Sequence, residues 1–387
     1  MSADVTTPPP APGAPDAPAA PSPRSAGAWS LTWSGVRTVA ALELRQRVRS
    51  TRWVVALAVF GVVVGGVTVL TFLAASSATA GLPDTVGVGR TMFGFIVFFV
   101  LFLGLLVSPT LSATSINGDR AAGTLATLQV TLLSPAEIVL GKLLASWVAS
   151  LAFLAVSVPF VVWAFAVGGT SVLALVMTLL LLAVVLAVVC AVGLGFSALV
   201  SRGAGSAVLT YVTVAGLCVV SLVLFGLSTI LVSTQEDVQV RQLPWSSDIQ
   251  FDDAGNPVGD VECEVVTQER YVSHTERTWW LLAANPFVVV ADALPGADAR
   301  TASDPMSLIR VGVRTARIGV QEPLDECWTG VDWQEREAEQ MRLVEESGAV
   351  WPWGLTFLVL LGAGGVVVAV RRLTIPQATL PRGTRVA

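Results

Sequence analysis

The chain has 387 residues, of which 53% are hydrophobic and 13% are charged, and its formal net charge is −5. A typical soluble domain is about one quarter charged, and the apolar residues here are gathered into long runs. This combination argues against a soluble enzyme. It predicts an integral membrane protein whose functional residues lie in the connections between its spans.

Six apolar runs are each long enough to cross a hydrocarbon layer of about 30 Å, which takes roughly 20 helical residues. Because lipid offers the backbone no hydrogen-bond partner, each run is expected to be helical. The predicted fold class is therefore an all-α integral membrane protein with six transmembrane helices. The predicted spans are residues 53–75, 91–112, 143–168, 172–200, 204–232 and 350–370.

The charges are distributed unevenly around these spans. Residues 234–349 carry 22 acids and 9 bases, whereas the rest of the chain carries 6 acids and 14 bases. Cytoplasmic connections of membrane proteins are enriched in Lys and Arg. We therefore predict cytoplasmic N- and C-termini, an acidic extracytoplasmic domain at 234–349, a cytoplasmic tail at 371–387, and a multi-pass protein of the plasma membrane.

The chain before the first span divides into two parts. Residues 1–28 are rich in Pro and Ala and have few large apolar groups, which predicts a disordered cytoplasmic tail. Residues 29–52 are basic and place apolar side chains every fourth residue, which is typical of an amphipathic helix in the headgroup plane. A helical extension of span one is the alternative. The repeated positions are Val36, Ala40, Leu44 and Val48.

The connection between spans two and three, residues 113–142, has the most informative sequence. Leu125, Leu128 and Leu132 would form one apolar stripe on a short helix. Ser134-Pro135-Ala136-Glu137 then has the pattern of a capping box with proline at the first helical position. The sequence predicts a short helix followed by a sharply initiated helix that contains span three. A helix lying on the membrane with its leucines in lipid is the alternative for the stripe.

The acidic domain contains an apolar stretch and two cysteines. The stretch from Trp279 to Leu294 is interrupted by Asn285-Pro286 and is short for a span, so we expect it to be interfacial or re-entrant. Cys263 and Cys327 both fall in the predicted extracytoplasmic domain, a compartment in which a disulfide is permitted.

The 113–142 connection resembles the cytoplasmic signature of ABC-2 type transporter permeases. That signature has an acid followed by Arg, then Gly-Thr-Leu, a Leu-rich helix, a Pro, and a Gly-Lys that opens the next span. The matching residues are Asp119, Arg120, Gly123, Thr124, Leu125, Leu128, Pro135, Gly141 and Lys142. The family often has a second acid just after the Arg, where this chain has Ala121. The match is close in this connection and looser in the six-span pattern.

The resemblance implies a function and a set of partners. In such permeases the connection rests in a groove of a separate cytoplasmic ABC ATPase subunit, so Leu132 and Glu137 are also expected to couple the two subunits. The permease would act as a homodimer or heterodimer that exports an unidentified substrate. Apolar spans suit a hydrophobic or amphipathic substrate. Membrane lipids are expected partners, nucleic acid is not, and ATP would be bound by the partner rather than by this chain.

The residues offer little support for chemistry within the chain. A P-loop would need glycine at 136 and a hydroxyl at 143, whereas the chain has Ala136 and Leu143. His274 lies near Glu269 and Glu276, which is more typical of a solvated surface cluster than of a metal site. We predict no catalytic or metal-ligating residue. A membrane-embedded lipid- or glycan-modifying enzyme, and a non-transporting sensor or assembly protein, remain as alternative functions.

Overall fold

The computed structural model describes residues 27–78, 86–124, 133–244, 250–251, 257–258, 263–294, 304–327 and 333–374. The predicted tails at 1–28 and 371–387 lie outside this part of the chain except at their inner edges. Leu125, Leu128 and Leu132 also lie outside it, so the predicted leucine stripe stays a prediction.

The described residues contain six helical segments that are long and apolar enough to cross a membrane, and the chain is a multi-pass membrane protein. In chain order the helices up to span four are α1 (Trp33–Val48), α2 (Thr51–Ala78), α3 (Val86–Ser112), α4 (Ser115–Ala121), α5 (Pro135–Val167) and α6 (Val172–Leu199). Span five consists of α7 (Gly203–Ala215), a π-helical turn (Gly216–Val220) and α8 (Ser221–Leu231). The remaining helices are α9 (Trp280–Ala283), α10 (Pro286–Asp292), α11 (Pro305–Ile318), α12 (Trp333–Glu346) and α13 (Trp351–Leu373).

The bundle has two chemically different ends. We call the end that carries α1, α4 and the starts of α2, α5 and α7 the basic end, and the end that carries the described part of residues 232–350 the loop end. At both ends of the bundle, glycines let neighbouring helices approach each other closely. A Cβ on Gly89 would overlap the backbone of Gly168 at the loop end, and a Cβ on Gly193 would overlap Ser112 at the basic end.

Helices α3, α5 and α6 form the centre of the bundle, and α13 packs along α6. At the closest approach of these last two, a Cβ on Gly195 would lie 2.8 Å from the Cα of Gly365, and a Cβ on Gly365 would lie 2.6 Å from the carbonyl oxygen of Ala191. Small residues permit such backbone contact between membrane helices. Spans one and five are the least buried of the six.

The described chain is mainly helical, in agreement with the predicted all-α membrane class, but the loop end also contains short strands that the sequence analysis did not predict. Strand β1 (Ser233–Gln242) pairs antiparallel with β4 (Glu264–Ser273) and parallel with β5 (Leu324–Asp325), while β2 (Gln250–Phe251) pairs with β3 (Pro257–Val258). Val238, Val240 and Val272 cover one face of the three-stranded sheet. Alternation with polar residues places these valines on a single side.

The cysteines of the loop end lie beside this sheet. Cys263 immediately precedes β4 and Cys327 follows β5. Their Cα atoms lie 6.2 Å apart, and the structure joins the two sulfurs. This separation is within the range that a disulfide spans.

The apolar stretch from Trp279 to Leu294 folds as the short helices α9 and α10 rather than as a span. The break falls at Asn285, whose side-chain oxygen accepts a hydrogen bond from Phe287 N at 2.9 Å. Its Nδ2 donates to the carbonyl oxygen of Cys218, at 3.0 Å, within the π-helical turn of span five. A π-turn interrupts the regular helical hydrogen-bond pattern, and Asn285 bonds to one of its carbonyl groups.

Candidate functional site

The start of α5 is held by the predicted capping box. Ser134 Oγ accepts a hydrogen bond from Glu137 N at 3.1 Å, and the Glu137 carboxylate accepts one from Ser134 N at 2.8 Å. Pro135 is the first helical residue. The structure confirms this local prediction, which needed only residues three positions apart.

Glu137 also binds the segment that leads into α1. Its Oε1 accepts hydrogen bonds from the backbone N and the hydroxyl of Thr32, at 2.7 and 2.5 Å. The Thr32 hydroxyl in turn accepts from Gly35 N at 3.2 Å and caps α1. A carboxylate is stabilised near a helix N-terminus, and here a single buried carboxylate lies at the N-termini of two helices.

The contact between α1 and α5 depends on glycine. A Cβ on Gly141 would lie 2.5 Å from Val39 Cβ, and a Cβ on Gly35 would lie 2.8 Å from Glu137 Cδ. A larger side chain at 141 would push α1 away from α5, whereas one at 35 would displace the Glu137 carboxylate. Gly141, which matches the signature, is therefore a close-packing position.

The buried face of α1 differs from the predicted stripe. Val36, Val39 and Ala40 are buried, whereas Val48 is 60% exposed. The buried residues are those that contact α5, and they do not follow the predicted four-residue repeat to its end. The two-residue break between α1 and α2 also makes α1 a separate helix, which contradicts the alternative of a continuous extension of span one.

Lys142 is the centre of the site. Its side chain has no exposed surface and forms ion pairs with Glu43 of α1 and Asp119 of α4, whose side chains are 19% and 25% exposed. It also donates to the carbonyl oxygen of Ser115 at 3.2 Å. A buried ammonium group requires such partners. The Lys142 side chain therefore points into the contacts between α1, α4 and α5 rather than toward lipid.

Arg47 extends the same network to α3. Its guanidinium lies 3.8 Å from the Glu43 carboxylate and donates to the carbonyl oxygen of Leu111 at 2.9 Å and to Ser146 Oγ at 3.3 Å. Burial lowers the pKa of Arg47, while Glu43 opposes this change. We call Glu43, Arg47, Asp119, Glu137 and Lys142 the basic-end joint, because they connect α1, α3, α4 and α5.

Two members of the joint, Glu43 and Arg47, were not among the predicted site residues. Glu43 is the only acid in residues 29–52. An isolated acid among arginines was the one sequence feature that could have marked it as a site residue. The pairing itself could not be read from the sequence, because Glu43 and Lys142 are 99 residues apart.

The other signature residues that the structure describes lie at the exposed rim of the joint. Arg120, Gly123 and Thr124 are exposed. Gly123 has a φ of +72°, a conformation that favours glycine. The Thr124 hydroxyl donates to the backbone carbonyl of Asp119 at 3.3 Å. The signature thus divides into buried residues that form the joint and exposed residues that offer a surface.

A second buried ion pair lies at the loop end, and sequence analysis missed it. Asp292 of α10 accepts hydrogen bonds from Arg314 Nε of α11 at 2.6 Å and from the backbone N of Val350 and Trp351 at 2.6 and 2.8 Å. The last two groups open α13, so Asp292 caps span six from another part of the chain. We call Asp292 and Arg314 the loop-end anchor.

The joint and the anchor are both held by ion pairs and hydrogen bonds between helices. Within the described ranges, no group of three His, Cys, Asp or Glu side chains is arranged to hold a metal ion. No protein-family model matches the sequence, and no curated protein matches it. The function is therefore argued from the residues and geometry of this chain.

Proposed function

We propose that this chain is the permease subunit of an ABC-2 type exporter, in which a separate cytoplasmic subunit binds and hydrolyses ATP. The ion pair between Asp119 and Lys142 carries the proposal. These two residues match opposite ends of the 113–142 signature, and in the structure they meet in one buried network. That network also includes Glu43 of α1.

The joint is suited to transmitting displacement. Force applied to α4 would reach Lys142 near the start of α5, and the capping box there resists fraying of the helix. Because α5 packs against α2, α3 and α6, a displacement of α5 would also move these spans. Rigid elements linked by buried contacts can pass a conformational change in this way.

The exposed rim is the part of the signature that would contact the ATPase. Arg120 supplies a charge that can fix register, and Gly123 keeps the surface free of a side chain. In this proposal, α4 and the rim face the cytoplasm, and both termini lie on that side. The direction of transport is export, and the membrane is the plasma membrane.

A second copy of the permease would complete the pathway. Spans one and five are the least buried of the six, so their exposed surfaces can face either lipid or another subunit. Exposed apolar side chains on these spans include Val62, Val69, Leu70, Val212, Val219 and Ile230. The proposed assembly contains two permease copies, identical or related, and two ATPase subunits.

Affinity purification tests the proposal. The tagged full-length chain is isolated from its native membranes in mild detergent, and bound proteins are identified by mass spectrometry while ATP hydrolysis is measured in the eluate. The wild-type chain is expected to retain an ATPase subunit. Gly123→Trp and Arg120→Glu, which alter the exposed rim, are expected to reduce the retained ATPase at least about tenfold, a loss of about 1.4 kcal/mol.

Arg342→Glu is the matched control, because it makes the same charge change on exposed α12 at the loop end. It is expected to retain the ATPase fully. The proposal fails if the wild-type chain carries no ATPase, or if the rim variants retain as much of it as the control. A lipid- or glycan-modifying enzyme would instead show activity without any ATPase.

A further inference from the structure

A large cavity lies beside the basic-end joint. It is bounded by α1 and α2 on one side and by α3 and α4 on the other, and its volume is about 1040 Å³. This is at the upper end of the size of ligand sites in proteins. Its two ends differ in chemistry.

The inner part of the cavity is apolar and opens toward lipid. Val55, Val59 and Val63 of α2 line it, and Phe60 and Phe153 form its buried floor. Val55 and Val59 are 55% and 56% exposed, so this wall is accessible from the side of the bundle.

The depth of this apolar part matches one leaflet. From Arg52 to Val63 the helix rises about 16 Å, roughly half of the 30 Å hydrocarbon layer. A molecule that occupied the cavity from end to end would reach from the polar boundary to the middle of the membrane.

The outer part of the cavity is polar, and its wall includes Arg47, Arg52, Glu43 and Asp119. Both acids pair with the buried Lys142, and Glu43 also lies 3.8 Å from Arg47, so these five groups carry one positive charge in excess. Nη1 of Arg47 is buried and has no hydrogen-bond partner among the described residues, and Arg52 forms no ion pair within that part of the chain.

We propose that this cavity binds one anionic phospholipid of the adjacent leaflet, with its acyl chains along α2 and α3 and its phosphate beside Arg47 and Arg52. The apolar wall fits the chains, and the two arginines fit an anion at headgroup depth. The inference requires only that the chain is embedded in a membrane, so it does not depend on the proposed function.

Charge complementarity favours a lipid over a second copy of this chain. At the level of Arg47 and Arg52, a second copy would present its own basic end, which carries the same arginines. Its exposed span surfaces are apolar and offer no anion to those arginines. A lipid headgroup supplies the anion and the apolar chains in one molecule.

The lipid would also touch the basic-end joint. Glu43, Arg47 and Asp119 belong both to the joint and to the cavity wall. An anionic phosphate beside Arg47 would therefore lie within the network that holds α1 against α5.

Native mass spectrometry of the full-length protein tests the proposal. The protein is reconstituted in nanodiscs containing equal amounts of phosphatidylglycerol and phosphatidylcholine, and the lipids retained after release are counted. The wild-type chain is expected to retain one phosphatidylglycerol in preference to phosphatidylcholine. Arg52→Gln is expected to lower this preference about fivefold, the effect of one arginine near an anionic surface.

A second variant tests the apolar part without changing charge. Val59→Trp fills the cavity from a lipid-exposed position, so the fold is expected to tolerate it, and retention of both lipids should fall. Val62→Trp is the matched control, because Val62 lies on the same helix outside the cavity and is 75% exposed. Arg45→Gln is the control for Arg52→Gln, since Arg45 is exposed and does not line the cavity.

Three results would overturn the proposal. One is equal retention of the two lipids by the wild-type chain. Another is unchanged retention in both Arg52→Gln and Val59→Trp. The third is a photo-crosslinker at position 59 that captures a second copy of the protein instead of lipid.

Discussion

The two ends of the bundle each bury an ion pair that ties non-spanning helices to a span, but they do so in different ways. At the loop end a fully buried acid, Asp292, accepts three hydrogen bonds, from Arg314 and from the first two backbone groups at the start of α13. At the basic end a fully buried cation, Lys142, lies between Glu43 and Asp119, which are both partly exposed.

Because of this difference, we expect the loop-end anchor to be a fixed contact and the basic-end joint to be an adjustable one. Two of the hydrogen bonds to Asp292 come from backbone N–H groups, whose positions are fixed by the first turn of α13. The acids of the basic-end joint are side chains that border a large cavity, so water can reach their edges. The loop-end anchor therefore suits a static role, and the joint suits movement.

The largest expected effect comes from breaking the anchor. Asp292→Ala leaves Arg314 without its buried carboxylate and leaves the start of α13 uncapped. Removing one partner of a buried ion pair costs about 4 kcal/mol. Thermal unfolding in detergent, followed by tryptophan fluorescence, should show this loss. Glu339→Ala, an exposed change on α12, is the control and should unfold like the wild-type chain. A similar midpoint for both variants would contradict the role of Asp292.

A smaller loss is expected at the joint, because its acids can be hydrated. Lys142→Met should lower the free energy of unfolding by about 3 kcal/mol, at the low end of the range for a broken buried pair. The same unfolding measurement applies. Combining it with Asp119→Asn should recover part of the loss, since Glu43 keeps Arg47 as its partner and no acid is then left without one. If the double variant is less stable than Lys142→Met, the ion pairs are not the source of the effect.

The capping box predicts a further, smaller change. Ser134→Ala removes the acceptor for Glu137 N and should cost about 1 kcal/mol, the usual value of an N-cap. Ser171→Ala is the matched comparison, because Ser171 caps α6 through Ala174 N at 3.1 Å without a reciprocal glutamate. Unfolding midpoints should fall more for Ser134→Ala. The reverse order would contradict the additional hydrogen bond that Ser134 Oγ donates to the carbonyl oxygen of Ser30, in the segment before α1.

The smallest expected effect is a titration at the loop end. Hydrogen bonds to Glu276 and Glu236 raise the pKa of His274 above its ordinary value. A raised folded-state pKa means that the stabilising contribution is present below the unfolded pKa and is lost as pH rises through the folded value.

His274 is the only histidine in the chain, so one imidazole signal reports this titration by NMR of the full-length protein with a tag that lacks histidine. The pKa should exceed about 6.5 and should fall in Glu276→Gln. A wild-type value below that figure would contradict the two hydrogen bonds.

Local patterns in the sequence were readable because they involve near neighbours. The capping box at Ser134 and the break at Asn285 depend on residues within three positions. The β-sheet was not predicted, because β1 is largely polar and its partners β4 and β5 lie far along the chain. Only Val238 and Val240 alternate with polar residues in β1. That alternation was the signal that could have identified β1.

The partners of Lys142 and Asp292 could not be read in the same way. Glu43 and Asp119 reach Lys142 only after α1 and α4 pack beside α5, and Arg314 meets Asp292 only after α10 and α11 fold together. Such pairs are products of tertiary packing. The sequence shows which residues are charged but not which of them form ion pairs.

The native mass of the complex purified from membranes in mild detergent tests the proposed exporter assembly. We expect two copies of a 40.4 kDa permease, or one copy and a related chain, together with two ATPase subunits that hydrolyse ATP. A particle that contains this chain alone, in one or several copies and without any ATPase, would contradict it.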